Sequence, residues 1–517
     1  MSERNSDERT SVVEYGVRRV VIISAIMLAA LMQTLDSTII NVALPYIQGN
    51  LGVAADSVTW VITGFIISNV VVIPLTPWLS MRLGRKEYFA LSIAGFTIAS
   101  ALCGSANSFG QLVFYRVLQG AFGGGLLAVA QPLLKDTMSP EELGISQAIF
   151  AIGAVCGPAL GPWIGGMLTD AYSWRWVFWV NILPGIIATA IIWTMLRNPQ
   201  KAQRLPVDGL GIAFLALAVG SLQYVLDEGE NKDWFSSKII CYLTVTAVIG
   251  FIAFTVRELK GTKKPIINLR LLAKRAVGVG SIISLSLGIP MFGTTLILPQ
   301  YVSNILGFTA TMSGDLLLVR AAPMALLTPV AGLLLQSGKV DSRAMLGTGL
   351  LITGIGSIWL ALCTTSGTSF DAMMLPLIVQ GVGGAILFVP LLVTVMGSVE
   401  GQESSMASAF INLFFQLGGS FASALLVTLL DRRADLHQDR LAANITLGSA
   451  PVTHLIQTAG QQAHQAVIGL WQVVTLEANA MGFADVFFAI GAAALVVLPL
   501  LFAMPKPTNT DVEIEMA

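Results

Sequence analysis

The stretch LMQTLDSTIINVALP, Leu31–Pro45, carries one carboxylate, Asp36, through the first long apolar run of the chain. A run of this length is a membrane span, so the acid sits at bilayer depth. Placing a charge there costs from about 3 to more than 10 kcal/mol, which makes an intramembrane acid a functional candidate by default. The default work for such a group is to carry a proton. The run follows a polar leader ending in Arg18 and Arg19, is too long for a signal-peptide core and lacks a small-residue cleavage site, so it is expected to stay in the protein.

Outward from Asp36 the composition is that of a membrane protein. Hydrophobic residues make up 55% of the 517 and charged residues only 11%, and mean hydropathy is +0.76. A soluble domain carries about 25% charged residues. The four cysteines, Cys103, Cys156, Cys241 and Cys363, all fall in apolar runs without a paired spacing, which favours small packed residues over disulfides or metal ligands. The net charge is −1; neither a cofactor nor a nucleic-acid partner is expected.

Fourteen spans follow, beginning near residues 18, 58, 88, 110, 144, 176, 208, 238, 276, 312, 344, 371, 404 and 482. With both termini in the cytoplasm, 21 of the 29 basic residues fall on that side, six fall outside, and Arg116 and Arg320 lie within spans. The only long polar excursion, 431–481, is then external. It holds all three histidines, His437, His454 and His464, at spacings that fit no usual metal motif, and from about Thr453 it reads as a helix extending the last span.

A weak internal repeat divides the chain. RVLQGAFGGGLLAVAQP (Arg116–Pro132) in span four matches LIVQGVGGAILFVP (Leu377–Pro390) in span twelve, and basic turns MRLGRK (Met81–Lys86) and QSGKVDSR (Gln336–Arg343) follow the second span of each half. This is the duplication of a two-bundle transporter that handles substrate between its halves. On a 1.5 Å rise per residue, Asp36, Arg116 and Arg320 fall in one layer roughly 10 to 15 Å deep. Asp36 and Arg116 are candidates for proton coupling, and which arginine pairs with the acid stays open. Gln33, Asn41, Gln119, Arg320, Asp315 and Gln380 are candidates to line a substrate cavity. A further possibility is that Asp36 hydrogen-bonds Thr38 or Asn41, or caps a helix break near Asn41–Pro45.

Five segments in order, LDSTIINVALP, LSMRLGRK, RVLQG, GPALGPWIGG (Gly157–Gly166) and WRWVFWVNILPG (Trp174–Gly185), resemble the 14-spanner drug:proton antiporter family of the major facilitator superfamily. The resemblance covers nearly the whole chain. It implies an all-α polytopic membrane protein of the major facilitator fold: a six-helix bundle over 1–197, two additional helices and a linker over 198–275, a second six-helix bundle over 276–504 with the external loop, and a cytoplasmic tail, 505–517. It also implies a bacterial inner-membrane exporter of hydrophobic or amphiphilic compounds, driven by protons and surrounded by lipid, with a periplasmic adaptor (a membrane fusion protein) and an outer-membrane channel as partners.

Gly153, Gly157, Gly161 and Gly165 recur every four residues and so share one helix face, where they let another helix approach. In the resembled family this segment, with Pro158, is the antiporter motif; a packing seam alone is the other reading. Here Pro162 follows Gly161 where the family pairs glycines. The turn with Arg82, Gly84 and Arg85 lacks the aspartate the family pattern expects, which leaves gating and simple topology both open. Alternatives to drug export are an importer, a dedicated exporter of a metabolite such as a siderophore or fatty acid, and a polytopic membrane enzyme. No span contains a histidine, which argues against the enzyme, and no GxxxxGK[ST] loop is present for a nucleotide-driven pump.

Overall fold

Inside a bilayer every backbone polar group must be satisfied within its own segment, so apolar runs near 20 residues become helices. A computed structural model of the chain describes residues 14–197, 206–261, 267–443 and 463–505, and among them it contains helices and no strand. The long helices are α1 (Gly16–Leu51), α2 (Trp60–Leu83), α3 (Arg85–Gly104), α4 (Phe109–Thr137), α5 (Leu143–Ala171), α6 (Trp176–Met195) and α7 (Gly209–Glu228). The remainder are α8 (Lys238–Val256), α9 (Arg275–Asn304), α10 (Ala310–Gln336), α11 (Ser342–Cys363), α12 (Phe370–Gly397), α13 (Gln402–Ala443) and α14 (Ala463–Val496). Among the described residues thirteen helices are both long and apolar enough to cross a membrane. The other, α5, runs unbroken through Pro158 and Pro162 for 29 residues, about 43 Å.

Side-chain caps start several helices: Ser108 accepts from the Gln111 N–H, Thr309 from Met312 and Asp341 from Arg343. α1 continues through Pro45 to Leu51, so the helix break considered near Asn41–Pro45 is absent. The outer face is greasy; on α8, Tyr242, Val245, Val248, Ile249 and Ile252 are all exposed. A contiguous apolar band of this kind marks contact with lipid.

The internal repeat has a geometric counterpart. Gln119 on α4 donates to Ser100 Oγ on α3 at 2.6 Å, and Gln380 on α12 donates to Ser357 Oγ on α11 at 3.1 Å. A Cβ on the glycine after each glutamine would overlap a backbone carbonyl, that of Phe65 on α2 for Gly120 and that of Arg320 on α10 for Gly381. Arg320 therefore stands in the second half where Phe65 stands in the first.

α5 packs along α1 on one side and along α10 of the second half on the other. The α7–α8 pair is tied at the basic end by Asp208, which caps α7 through the Gly211 N–H at 3.0 Å and accepts from Arg257 at 2.6 to 2.9 Å. Higher up, α7 touches both halves, through Thr59 donating to Glu228 at 3.3 Å and Gln223 donating to Ser420 on α13 at 2.7 Å.

α13 and α14, of 42 and 34 residues, reach about 63 and 51 Å, well beyond a hydrocarbon core of about 30 Å. The excursion from Asp431 therefore begins as helix. The last span, expected from about residue 482, is already helical at Ala463, because the chain continues the same helix outward. His437 and Arg433 on α13 converge on Asp485 of α14 at 2.8 and 3.1 Å. Residues 444–462, including His454, and the side chain of His464 lie outside the described residues.

Candidate functional site

Asp36 and Arg116 meet. Arg116 Nη1 donates to Asp36 Oδ2 at 2.5 Å, and both side chains are 0% exposed. Asp36 Oδ1 accepts from Gln119 Nε2 and Asn181 Nδ2, each at 2.9 Å. Both amides also reach Ser100 Oγ, while Arg116 donates through Nε to the Val61 carbonyl at 2.9 Å and through Nη1 to Gln119 Oε1 at 2.7 Å. The guanidinium lies over Phe65, 4.2 Å from the ring centroid. The result is a neutral, hydrogen-bonded pair closed off by aromatic rings, the arrangement that makes a buried charge tolerable. Asp36 bonds to neither Thr38 nor Asn41. Asn181 and Ser100 escape a reading of the sequence because a lone amide or hydroxyl in an apolar run carries no charge to flag it; Asn181 does stand out as the one amide side chain of WRWVFWVNILPG.

The four glycines of α5 lie against α1. A Cβ on Gly153 would strike Met27, on Gly157 Thr34, on Gly161 Thr38 and the Ile39 backbone, and on Gly165 the Ile39 carbonyl. Thr34 donates to the Gly153 carbonyl at 3.0 Å across this seam. At 100° per residue, Asp36 is rotated about 200° from Thr34, onto the opposite face of α1. The seam with α5 and the ion pair with α4 therefore grip α1 from two sides.

Between the halves lies a small, partly open cleft of about 30 Å³. Ala154 and Pro158 of α5 face Met291, Phe292, Met324 and Phe415, and Arg320 and Thr295 add the polar edge. Asp36 and Arg116 do not reach it. Of the other cavity candidates, Gln33 accepts from the Leu127 N–H at 3.1 Å, Gln119 belongs to the ion-pair network and Gln380 bonds Ser357. Asn41 is exposed, and Asp315 is half-buried with no ion pair to Arg320 among the described residues.

At the basic end the halves are clasped. Gly84, with φ at +94°, starts α3 in a conformation that favours glycine. Arg85, 3% exposed, forms an ion pair with Asp136 at the end of α4, and its Nη2 donates to Ser405 Oγ on α13 at 2.8 Å. The acid missing from the turn is thus supplied from span four, a partner 51 residues away that the turn itself does not reveal. Lys135 donates to the Met396 and Val399 carbonyls, each at 2.5 Å, which closes the C-terminal end of α12 with a cation. Ser408 donates to Gln131 at 2.6 Å. Arg82 takes no part; it is exposed and stacks on Trp78 at 5.2 Å.

The clasp has a measurable consequence. A hydrogen bond to a charged group contributes about 1.5–3 kcal/mol, comparable with the few kcal/mol that separate alternating conformations. In a background without native cysteines, Arg85→Gln should raise several-fold the reactivity of Ser408→Cys toward an impermeant thiol reagent in everted vesicles. Unchanged reactivity would show that Arg85 does not hold this end closed.

The "Major Facilitator Superfamily" family profile matches residues 26–275 and 280–433. The chain is similar to the "Multidrug export protein EmrB" of Escherichia coli (strain K12), 32% identical over 500 residues, covering 95% of this chain and 96% of that protein. It is similar also to the "Fatty acid resistance protein FarB" of Neisseria gonorrhoeae, 34% identical over 501 residues, covering 93% and 95%. The solved structure of the human organic anion transporter MFSD10 aligns with TM-score 0.60 at 13% identity, over 93% of this chain and 99% of that one. A double-tryptophan mutant of XylE gives TM-score 0.60 at 13% identity, over 94% and 96%. These two likenesses concern the fold alone. With a buried ion pair in the first bundle, a cleft between two repeated halves and full-length relatives of the EmrB type, the chain belongs to the major facilitator superfamily.

Proposed function

We propose that this protein is a proton-coupled multidrug exporter of the bacterial inner membrane, with both termini in the cytoplasm, that moves hydrophobic or amphiphilic compounds outward. The observation that carries the reading is the fully buried Asp36–Arg116 pair in a chain that aligns end to end with EmrB. The family points to transport rather than catalysis.

In this reading Asp36 takes and releases the proton and Arg116 stabilises its charged form. Protonation removes the countercharge of Arg116, which weakens the grip of α4 on α1. Substrate sits in the cleft on the far side of α5, so proton and substrate communicate through the α1–α5 seam instead of competing for one carboxylate. Arg85, Gly84 and Asp136 close the cytoplasmic end while the cleft discharges outward. The long α13–α14 pair, joined through Asp485, is the surface offered to a periplasmic adaptor and, through it, an outer-membrane channel.

A strain stripped of its own efflux pumps and expressing this protein should accumulate several-fold less of a hydrophobic dye or drug, and a protonophore should erase the difference. Equal accumulation with and without the protein across a broad panel would overturn the reading. The FarB relative favours a second one, a dedicated exporter of a single amphiphilic metabolite such as a fatty acid or a siderophore, which would show as protection against one compound only.

A further inference from the structure

Two arginines lie within the spans, and they are balanced differently. Arg116 has Asp36. Arg320, 7% exposed, has no carboxylate oxygen within 4.0 Å among the described residues. Its Nη1 donates to Thr295 Oγ1 at 3.0 Å and its Nη2 to the carbonyls of Pro290 and Met291 at 3.4 and 3.3 Å, all neutral oxygens, and its Nε has no partner. A guanidinium does not give up its proton under ordinary conditions. A full positive charge therefore stands buried at the wall of the cleft.

The remainder of the wall is of one kind. Met291, Phe292, Met324 and Phe415 give it an apolar, partly aromatic surface, Ala154 and Pro158 close it from the first half, and no acid lines it. The charge is not a by-product of the repeat, since the equivalent place in the first half holds Phe65. Burying an unpaired ion is strongly unfavourable, and a partner that arrives with the ligand relieves it. The guanidinium fork matches a carboxylate in bidentate geometry.

We propose that Arg320 is the anion subsite of this cleft and that the protein binds amphiphilic carboxylates, with the carboxylate on Arg320 and the apolar body along Phe292, Phe415, Met291 and Met324. The proposal rests on the exporter reading and deepens it by naming a substrate class and the residue that selects it. Neutral hydrophobic compounds fit the same wall but leave the guanidinium unpaired. Cations are repelled.

The test uses three probes with one tail: dodecanoate, dodecanol and dodecyltrimethylammonium. Binding is measured by titration calorimetry on the full-length protein in nanodiscs of neutral lipid, which removes anionic headgroups as competitors. Dodecanoate should bind wild type at least tenfold more tightly than the alcohol or the cation, since a charge-assisted pair in a dry site is worth that factor or more. Arg320→Gln should abolish that preference, weakening dodecanoate far more than dodecanol; Arg320→Lys, which keeps the charge without the fork, should retain part of it. Equal affinity of wild type for dodecanoate and dodecanol would overturn the proposal without reference to any variant. So would a loss of dodecanol binding, in folded Arg320→Gln, equal to the loss of dodecanoate binding, which would make the arginine structural. Adding anionic lipid should weaken dodecanoate binding modestly. Abolition of binding by anionic lipid at trace levels would instead assign the site to a lipid headgroup. Export of a neutral dye by the wild-type protein separates the two readings: if the dye is pumped while the carboxylate preference fails to appear, the exporter stands and the anion subsite falls.

Discussion

Asp36→Asn is expected to abolish proton-driven export while leaving substrate counterflow, which needs no proton, in place. The asparagine keeps one acceptor for Arg116 and the shape of the site, but it can neither take up nor release a proton. A single proton moving down 100 mV supplies about 2.3 kcal/mol, enough for about a 50-fold concentration ratio, and that ratio should vanish in everted vesicles. The geometry adds a complication. Asp36 and Arg116 are both fully buried, and removing one member of such a pair costs about 3–5 kcal/mol through the charge left behind. Membrane levels of Asp36→Asn should therefore fall. The double variant Asp36→Asn/Arg116→Gln removes both charges and should restore assembly without restoring proton-driven export. Asp36→Glu should keep part of the activity. Uphill export by the double variant at the wild-type rate would show that the pair is structural, and coupling would then have to be sought at another acid such as Asp315.

Gly161→Leu is expected to reduce export below about a tenth of wild type while the protein still inserts. Even a bare Cβ at Gly161 would overlap Thr38 Oγ1 and lie 2.9 Å from the Ile39 nitrogen and 3.0 Å from the Leu35 carbonyl. Two of those atoms are backbone and cannot rotate away. Overpacking of this kind costs about 1–3 kcal/mol, as much as the difference between alternating states, and it pushes α1 off α5 at the level of Asp36. Gly157→Leu meets Thr34 and the Leu35 nitrogen in the same way. Gly166→Ala is the control: its nearest neighbour is Val42 Cγ1 at 3.8 Å, an ordinary contact, and transport should be normal. Normal export by Gly161→Leu at normal membrane levels would show that the seam carries nothing between the proton site and the cleft.

Hydropathy, basic-residue placement and turn chemistry are local properties, so the class of protein, its long apolar helices and the resemblance carried by its motifs are all legible along the chain. So is the cost of Asp36, because any charge at that depth is expensive whatever surrounds it. The row of glycines on α5 is legible as one face, since spacing by four fixes the azimuth within a single helix. Which helix that face meets is not. A one-residue error in a helix boundary turns every side chain by 100°, and contacts between helices depend on that azimuth twice. Only the tertiary structure therefore pairs Asp36 with Arg116 across 80 residues and leaves Arg320 with neutral oxygens. The same limit hides Asn181 and Ser100, uncharged groups that matter only because the fold brings Asn181 to the carboxylate and Ser100 to the amides that hold it. It hides Asp136 as well, an ordinary acid after span four until the fold sets it beside Arg85. The separation of the proton site from the cleft lies furthest from the sequence. Asp36 and Pro158 both read as intramembrane residues of the first bundle, and only the packing of α1 between α4 and α5 puts one inside the bundle and the other on the wall between the halves.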